Sequence, residues 1–203
     1  METGVQLGDQ FVSQQDFNIM AAKAARGFSS LGIKRGDTIA LMLRNDIPFL
    51  ASSMASRLIG AFPVPMNWHL SGPEANYILN DCGANVLVVH DDILHRVGFK
   101  NVPDGVQVVV VRTPEVVAQA YGLTDISDEI PEGAIRWEEW LPKHDPWTEQ
   151  PAMETASVIY TSGTTGRPKG VKREESTHEE YMLGIQIVGG VLGIQPGLRT
   201  VIP

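Results

Sequence analysis

Ala156-Ser-Val-Ile-Tyr160-Thr161-Ser162-Gly163-Thr164-Thr165-Gly166-Arg167-Pro168-Lys169-Gly170-Val171 decides the fold. An apolar run from Ala156 to Tyr160 passes straight into a Gly/Ser/Thr-rich loop that ends on a lysine. A helical pattern follows, roughly Glu174 to Leu192. Strand, glycine-rich loop and helix in that order build an anion site. Glycines let the backbone come close to a ligand, and successive N–H groups in such a turn form an anion-binding concavity. Ser162, Thr164 and Thr165 add hydroxyl donors, and Lys169 adds a charge that reaches phosphate oxygens. No acidic residue lies between Thr161 and Val171. The pattern is neither GxxxxGK[ST], because Pro168 precedes Lys169, nor GxGxxG.

Working outward, strand and helix signals alternate. Ser13-Gln-Gln-Asp16 reads as a capping box, and Phe17, Met20, Ala21, Ala24, Phe28 and Leu31 make one helix face closed by Gly32. Thr38 to Leu43 is an unbroken apolar run, as for a strand covered on both faces. Asn45 or Asp46 caps a helix with Pro48 in its first turn and Gly60 at its end. Phe62 to Pro65 is a short strand. Ser71-Gly-Pro-Glu74 is a second capping box, opening a helix that runs to Gly83. Val86 to Val89 and the valine run Val106 to Val111 are further strands, with a short helix capped by Asp91 between them. The implied class is α/β, a mainly parallel sheet flanked by helices. Three regions are expected within residues 1–203: a βαβ sheet region over 1–120, an acidic proline-containing surface excursion or linker over 121–155, and the loop-bearing strand with its helix over 156–203.

The chain has 203 residues and a net charge of −8, and its one cysteine, Cys82, excludes an internal disulfide and points to a reducing, cytoplasmic setting. Residues 1–100 carry eight basic against nine acidic residues, and residues 101–203 eight against fifteen. That balance excludes a basic nucleic-acid footprint. Leu183 to Ile194 is too short and too glycine-rich to span a bilayer and reads as a buried core helix, so no transmembrane segment is expected.

The loop Tyr160 to Val171 resembles the signature loop of the adenylate-forming superfamily: acyl-CoA synthetases, nonribosomal-peptide adenylation domains and firefly-type luciferases. Gly32-Ile-Lys-Arg-Gly-Asp37-Thr-Ile-Ala-Leu-Met-Leu-Arg-Asn45 and Gly60-Ala-Phe-Pro-Val-Pro-Met-Asn67-Trp-His-Leu70 resemble the family's upstream segments, in the family's order. Met66 to Leu70 leans towards acyl- or aryl-CoA ligases. The resemblance implies the N-terminal portion of the large domain of an adenylate-forming enzyme. The implied activity is an ATP-dependent acid–CoA ligase, in which a carboxylic acid attacks the α-phosphate of ATP and the acyl-adenylate then passes to coenzyme A. Thr161, Ser162, Thr164 and Thr165 would donate hydrogen bonds to the β- and γ-phosphates. Gly163 and Gly166 would permit close approach, and Lys169 would add charge. Thr165 and Lys169 are the implied catalytic residues, Mg²⁺ comes with the nucleotide, and no protein metal ligand is implied. A homodimer also fits the resemblance.

Two alternatives stand beside it: an amino-acid-activating domain that loads a carrier protein, and an inactive fold fragment or weak nucleotide binder. The family's later motifs would follow Pro203. The 203-residue chain is therefore expected to be an N-terminal fragment, inactive alone, with apolar surface exposed near Leu183–Ile202.

Other residues carry structural readings. His90 and His95, five apart, do not share a helix face and make a poor metal pair. Cys82 reads as a small buried hydrophobe. Trp137 and Trp140 read as core. Glu138-Glu139 and Glu179-Glu180 read as solvated surface, and Glu174-Glu175 as the first turn of the last helix, complementing its dipole. Arg167, Lys169, Lys172 and Arg173 form the one local basic cluster. His69 and His144 carry no partner signal.

Overall fold

A computed structural model describes residues 3–124, 129–149, 154–161 and 167–194. Its centre is a five-stranded parallel sheet in the order β4-β3-β5-β6-β7. The strands are β3 (Thr38–Met42), β4 (Phe62–Pro65), β5 (Ala84–His90), β6 (Gln107–Val111) and β7 (Ile135–Arg136). Every residue of β3 is buried, because it is hydrogen-bonded on both sides and covered on both faces. Side chains alternate across a strand, and the alternation sorts the core into two layers. Ala40, Met42, Leu87, Val89, Val108 and Val110 pack on one face. Ile39, Leu41, Val86, Val88, Val109 and Val111 pack on the other. Where β3 and β5 slip register at Thr38, the Asn85 side chain accepts from the Thr38 N–H at 3.0 Å, so the bulge leaves no orphan donor there.

Helices cover both faces. An antiparallel hairpin, β1 (Gly4–Leu7) and β2 (Gln10–Ser13), leads into α1 (Gln14–Ser30). Ser13 caps α1 by accepting from the Asp16 N–H at 3.1 Å. Asp46, not Asn45, caps α2 (Ile47–Leu58), its Oδ1 accepting from the Phe49 N–H at 2.8 Å. α3 (Gly72–Asp81) carries the expected Ser71–Glu74 capping box, with Pro73 in its first turn. α4 (Asp91–Val97) follows β5 directly; His90 stands at the cap position, and Asp91 lies inside the first turn, where its carboxylate serves Thr113. α5 (Glu115–Ala120) follows β6.

The acidic stretch does more than cross the surface. It supplies β7, the edge strand, and α6 (Trp137–Trp140), whose two tryptophans are buried against Phe28 and the β6 valines. Both tryptophans are core, as their spacing suggested; the surrounding glutamates mask them in composition. Gly27 is the residue of α1 that admits Trp140, since a Cβ there would stand 2.3 Å from Trp140 Cζ2. Gly27→Ala is expected to cost about 1–3 kcal/mol by overpacking, although alanine is the better helix former by about 1 kcal/mol. A denaturant midpoint equal to or above the parent's would refute that close fit.

The last helix differs from expectation twice. α7 spans His178–Leu192, starting four residues later than the glutamate pair implied. Thr177 and Glu180 form the capping box at its start, while Glu175 pairs with Arg35 outside the helix. Nor is α7 a core helix: none of its residues is buried, and Leu183, Ile187, Val188, Val191 and Leu192 are each more than half exposed. Tyr181, which accepts from Arg57 Nη1 at 2.7 Å, and His178, 2.8 Å from Glu154, tie down its first turn only. The expected exposure of apolar surface is seen over the described part of Leu183–Ile202. No helix among the described residues is long and apolar enough to cross a membrane.

Candidate phosphate-binding hairpin

The segment that carries the loop leaves the β4 edge of the sheet. The Thr155 hydroxyl donates to the Ala61 carbonyl at 2.8 Å, and the Val158 N–H donates to the Pro63 carbonyl at 2.9 Å. Val158 is buried in the core cluster. From there the expected buried strand Ala156–Tyr160 does not form. Instead, a short β8 (Ile159–Thr161) pairs antiparallel with β9 (Lys169–Val171), and Ile159 and Val171 are more than half exposed. The apolar run is therefore half core, up to Val158, and half the arm of a hairpin.

The hairpin register sets Thr161 opposite Lys169 and Tyr160 opposite Gly170. Of the residues expected to hold phosphate, Thr161 and Lys169 are thus brought together at the mouth of the loop. Ser162, Gly163, Thr164, Thr165 and Gly166 lie outside the described residues. Lys169 is exposed and forms no ion pair among the described residues. Two of its basic neighbours lie over aromatic rings: the Arg167 guanidinium lies 5.7 Å from the Tyr77 ring centre, and Lys172 Nζ lies 3.6 Å from that of Phe62. Lys169 is the basic residue that the hairpin register sets directly across from Thr161.

Helix α3 contributes groups that loop composition gave no sign of. The Tyr160 hydroxyl donates to Asp81 Oδ2 at 2.6 Å, and the Tyr77 hydroxyl donates to the Pro168 carbonyl at 3.2 Å. Burial, then the Asp81 hydrogen bond, pushes the Tyr160 phenol well above the ordinary tyrosine range, so it stays a donor. Cys82, next to Asp81, is half-buried against the core, and burial pushes its thiol up to about 11. A thiol so far above neutrality is a poor nucleophile, in keeping with its reading as a small hydrophobe.

A second polar cluster lies at the carboxyl ends of β3, β5 and β6. Arg44 donates to both carboxylate oxygens of Asp92, at 2.9 and 2.7 Å. The rings of Trp68 and Tyr121 lie 4.6 and 4.9 Å from its guanidinium carbon. The Thr113 hydroxyl lies 2.6 Å from Oδ1 of Asp91 and of Asp92. His90, fully buried, accepts from the Arg44 N–H on Nδ1 at 3.3 Å and meets Asp46 Oδ2 through Nε2 at 2.8 Å. The accepting Nδ1 places the ring proton on Nε2. Both nitrogens of His90 therefore serve protein groups rather than a metal. His69 stacks on Trp68, and His144 meets Trp140 edge-on.

A family model described as AMP-binding enzyme matches residues 4–189. The long-chain-fatty-acid–CoA ligase FadD13 of Mycobacterium tuberculosis is 27% identical over 175 residues, 84% of this chain and 31% of that protein. The long-chain-fatty-acid–CoA ligase ACSBG1 of Rattus norvegicus is 32% identical over 171 residues, 79% of this chain and 22% of that protein. Among solved structures, the anthranilate CoA ligase AuaEII in complex with anthranoyl-AMP superposes with a TM-score of 0.73 at 25% identity, over 93% of this chain and 34% of that one. The chain spans about a third or less of the length of each.

Proposed function

The chain belongs to the AMP-binding enzyme family, and from that premise we propose that it carries the phosphate-holding part of an AMP-forming acid–CoA ligase. The observation that supports this reading is the hairpin register, which sets Thr161 opposite Lys169, an exposed ammonium that forms no ion pair among the described residues. Such a cation beside a hydroxyl- and amide-rich loop suits a polyphosphate.

In the proposed reaction a carboxylic acid attacks the α-phosphorus of MgATP. The bond from that phosphorus to the β-bridging oxygen breaks, giving an acyl-adenylate and magnesium pyrophosphate. The thiol of coenzyme A then displaces AMP from the acyl carbon. Lys169 places its charge on the β- and γ-phosphate oxygens, where charge accumulates as pyrophosphate leaves. The Thr161, Ser162, Thr164 and Thr165 hydroxyls donate to the same oxygens, and Gly163 and Gly166 keep side chains out of the way. Thr165 and Lys169 act on the leaving group, and the residues that hold the acid are not assigned. Coenzyme A is preferred over a carrier-protein thiol because the relatives above are CoA ligases by name.

The test is acid-dependent exchange of labelled pyrophosphate into ATP by the complete gene product. Anthranilate and a long-chain fatty acid lead the acid panel. Lys169→Ala is expected to lower kcat/KM for MgATP by about 10²–10³-fold, the scale of losing one charge-stabilising donor. Exchange unchanged in that variant would remove Lys169 from the chemistry. A parent without exchange on any acid would remove the ligase reading.

A further inference from the structure

We propose that Tyr77 and Asp81 of α3 are positioning residues that clamp both arms of the Thr161–Lys169 hairpin and so hold Lys169 where a phosphate meets it. The proposal rests on the phosphate-binding reading above and adds to it a pair of residues some 80 to 90 positions upstream of the loop.

The two anchors lie one turn apart on the helix, four residues from each other, hence on one face. Asp81 takes the incoming arm through the Tyr160 hydroxyl, at 2.6 Å. Tyr77 takes the outgoing arm through the Pro168 carbonyl, at 3.2 Å, and its ring also lies under Arg167. Tyr160 locks the arms to each other as well. Its ring lies across Gly170, where a Cβ would come within 2.8 Å of Tyr160 Cζ. Lys169 therefore stands between two fixed residues, Pro168 on one side and Gly170 on the other.

The base of the clamp is rigid. α3 is capped by Ser71 and Glu74, and it buries Ala75, Ile78 and Leu79 in the sheet core. The hairpin has few other supports: its strands bury no residue, and Ile159 and Val171 face solvent. Fixing the arms in advance removes ordering that a ligand would otherwise have to impose, which is how preorganisation raises affinity without adding a contact.

The experiment needs neither the acid nor coenzyme A. Trypsin cuts after Lys169, whereas Pro168 blocks the bond after Arg167, and Lys100, next to the Asn101 carbonyl that accepts from Asn76 of α3, provides an internal reference away from the hairpin. The 203-residue chain is digested with and without magnesium pyrophosphate, and products are counted by mass spectrometry. In Tyr77→Phe/Tyr160→Phe, which deletes the two hydroxyls and keeps the rings, cleavage after Lys169 is expected to rise about tenfold relative to Lys100. The pyrophosphate concentration for half-protection rises by about the same factor, the scale of losing one to two hydrogen bonds. Asp81→Ala follows the double variant in part. Asp81→Asn, which keeps an acceptor for Tyr160, stays near the parent on both readouts, and all variants keep the parent's Tm.

An unchanged cleavage ratio overturns the clamp. Faster cleavage with unchanged half-protection overturns the positioning role. If pyrophosphate fails to protect even the parent, the phosphate-binding reading beneath the proposal falls with it. That failure is told apart from failure of the clamp by the cleavage ratio, which needs no ligand.

Discussion

Arg44→Ala is expected to destabilise the chain by about 3 kcal/mol or more, the largest loss for any single side chain in the polar cluster at the sheet's carboxyl edge. Arg44 is 5% exposed, and it is held by a bidentate bond to Asp92 and by the rings of Trp68 and Tyr121. Removing it leaves Asp92 largely buried with its charge uncompensated, and leaves the two rings facing a gap. Breaking one side of a buried pair costs more than the pair itself contributes. The double variant Arg44→Leu/Asp92→Leu is accordingly expected to be more stable than Arg44→Ala, which makes the non-additivity a measure of the stranded charge. Denaturant midpoints at constant slope check both statements; a loss below about 1 kcal/mol for Arg44→Ala would show that Asp92 reaches water when the arginine is gone.

The pH dependence follows with a definite sign. Burial alone would raise the Asp92 carboxyl, but the Arg44 and Thr113 hydrogen bonds and the nearby positive charge outweigh it and hold the group below the ordinary carboxylate range. A group whose pKa is lower in the folded state stabilises fully above its unfolded value, about 3.9. That contribution is lost as pH falls through the folded value. In Arg44→Ala the desolvation remains without its counterweight. The gap between parent and variant should therefore be widest near neutrality and shrink below about pH 4.

What could be read in advance followed physical range. The sheet was legible because its signals are local. Thr38–Met42 and the β6 valines are continuous apolar runs, and the Ser71–Glu74 box and the Asp46 cap sit within four residues of what they cap. The start of α7 was equally local, since Thr177 and Glu180 stand in the capping-box pattern; the Glu174-Glu175 pair drew attention away because early acidic residues also suit a helix dipole. Ala156–Tyr160 misled for a different reason. An apolar run shows that a segment can be buried, not that a strand stands ready to pair with it. Here the sheet edge takes hydrogen bonds only as far as Val158, and the remainder folds back on β9. At the candidate site, the residue types of the loop pointed to Thr161 and Lys169 but gave no sign of the helix that touches both arms of the hairpin. Tyr77 and Asp81 meet the hairpin across 91 and 79 positions, and a tyrosine and an aspartate four apart on a helix have no local signature that separates an anchor from ordinary surface.

The 203-residue chain is expected to self-associate at micromolar concentration and to bind a hydrophobic dye, and α7 is the cause. Leu183, Ile187 and Val191 recur every four residues and form one stripe; Ile185, Val188 and Leu192 form another beside it, all substantially exposed. A helix apolar around most of its circumference is stable in water only when something covers it. α7 is too short to span a bilayer, because fifteen residues rise about 22 Å against the 30 Å or so of a hydrocarbon core. Each such side chain gains about 1.5–3 kcal/mol when buried, so two helices that meet along one stripe recover far more than the ordering of a few side chains costs. Leu183→Lys/Ile187→Glu/Val191→Lys breaks that stripe while leaving the Thr177–Glu180 cap and the Tyr181 anchor in place. It should cut dye fluorescence several-fold and return the chain to a single monomeric species in light scattering. The denaturant midpoint should stay put, because α7 buries none of its residues. A monodisperse parent without dye binding would mean that α7 finds cover within its own chain. A midpoint that falls with the triple substitution would point to the same conclusion.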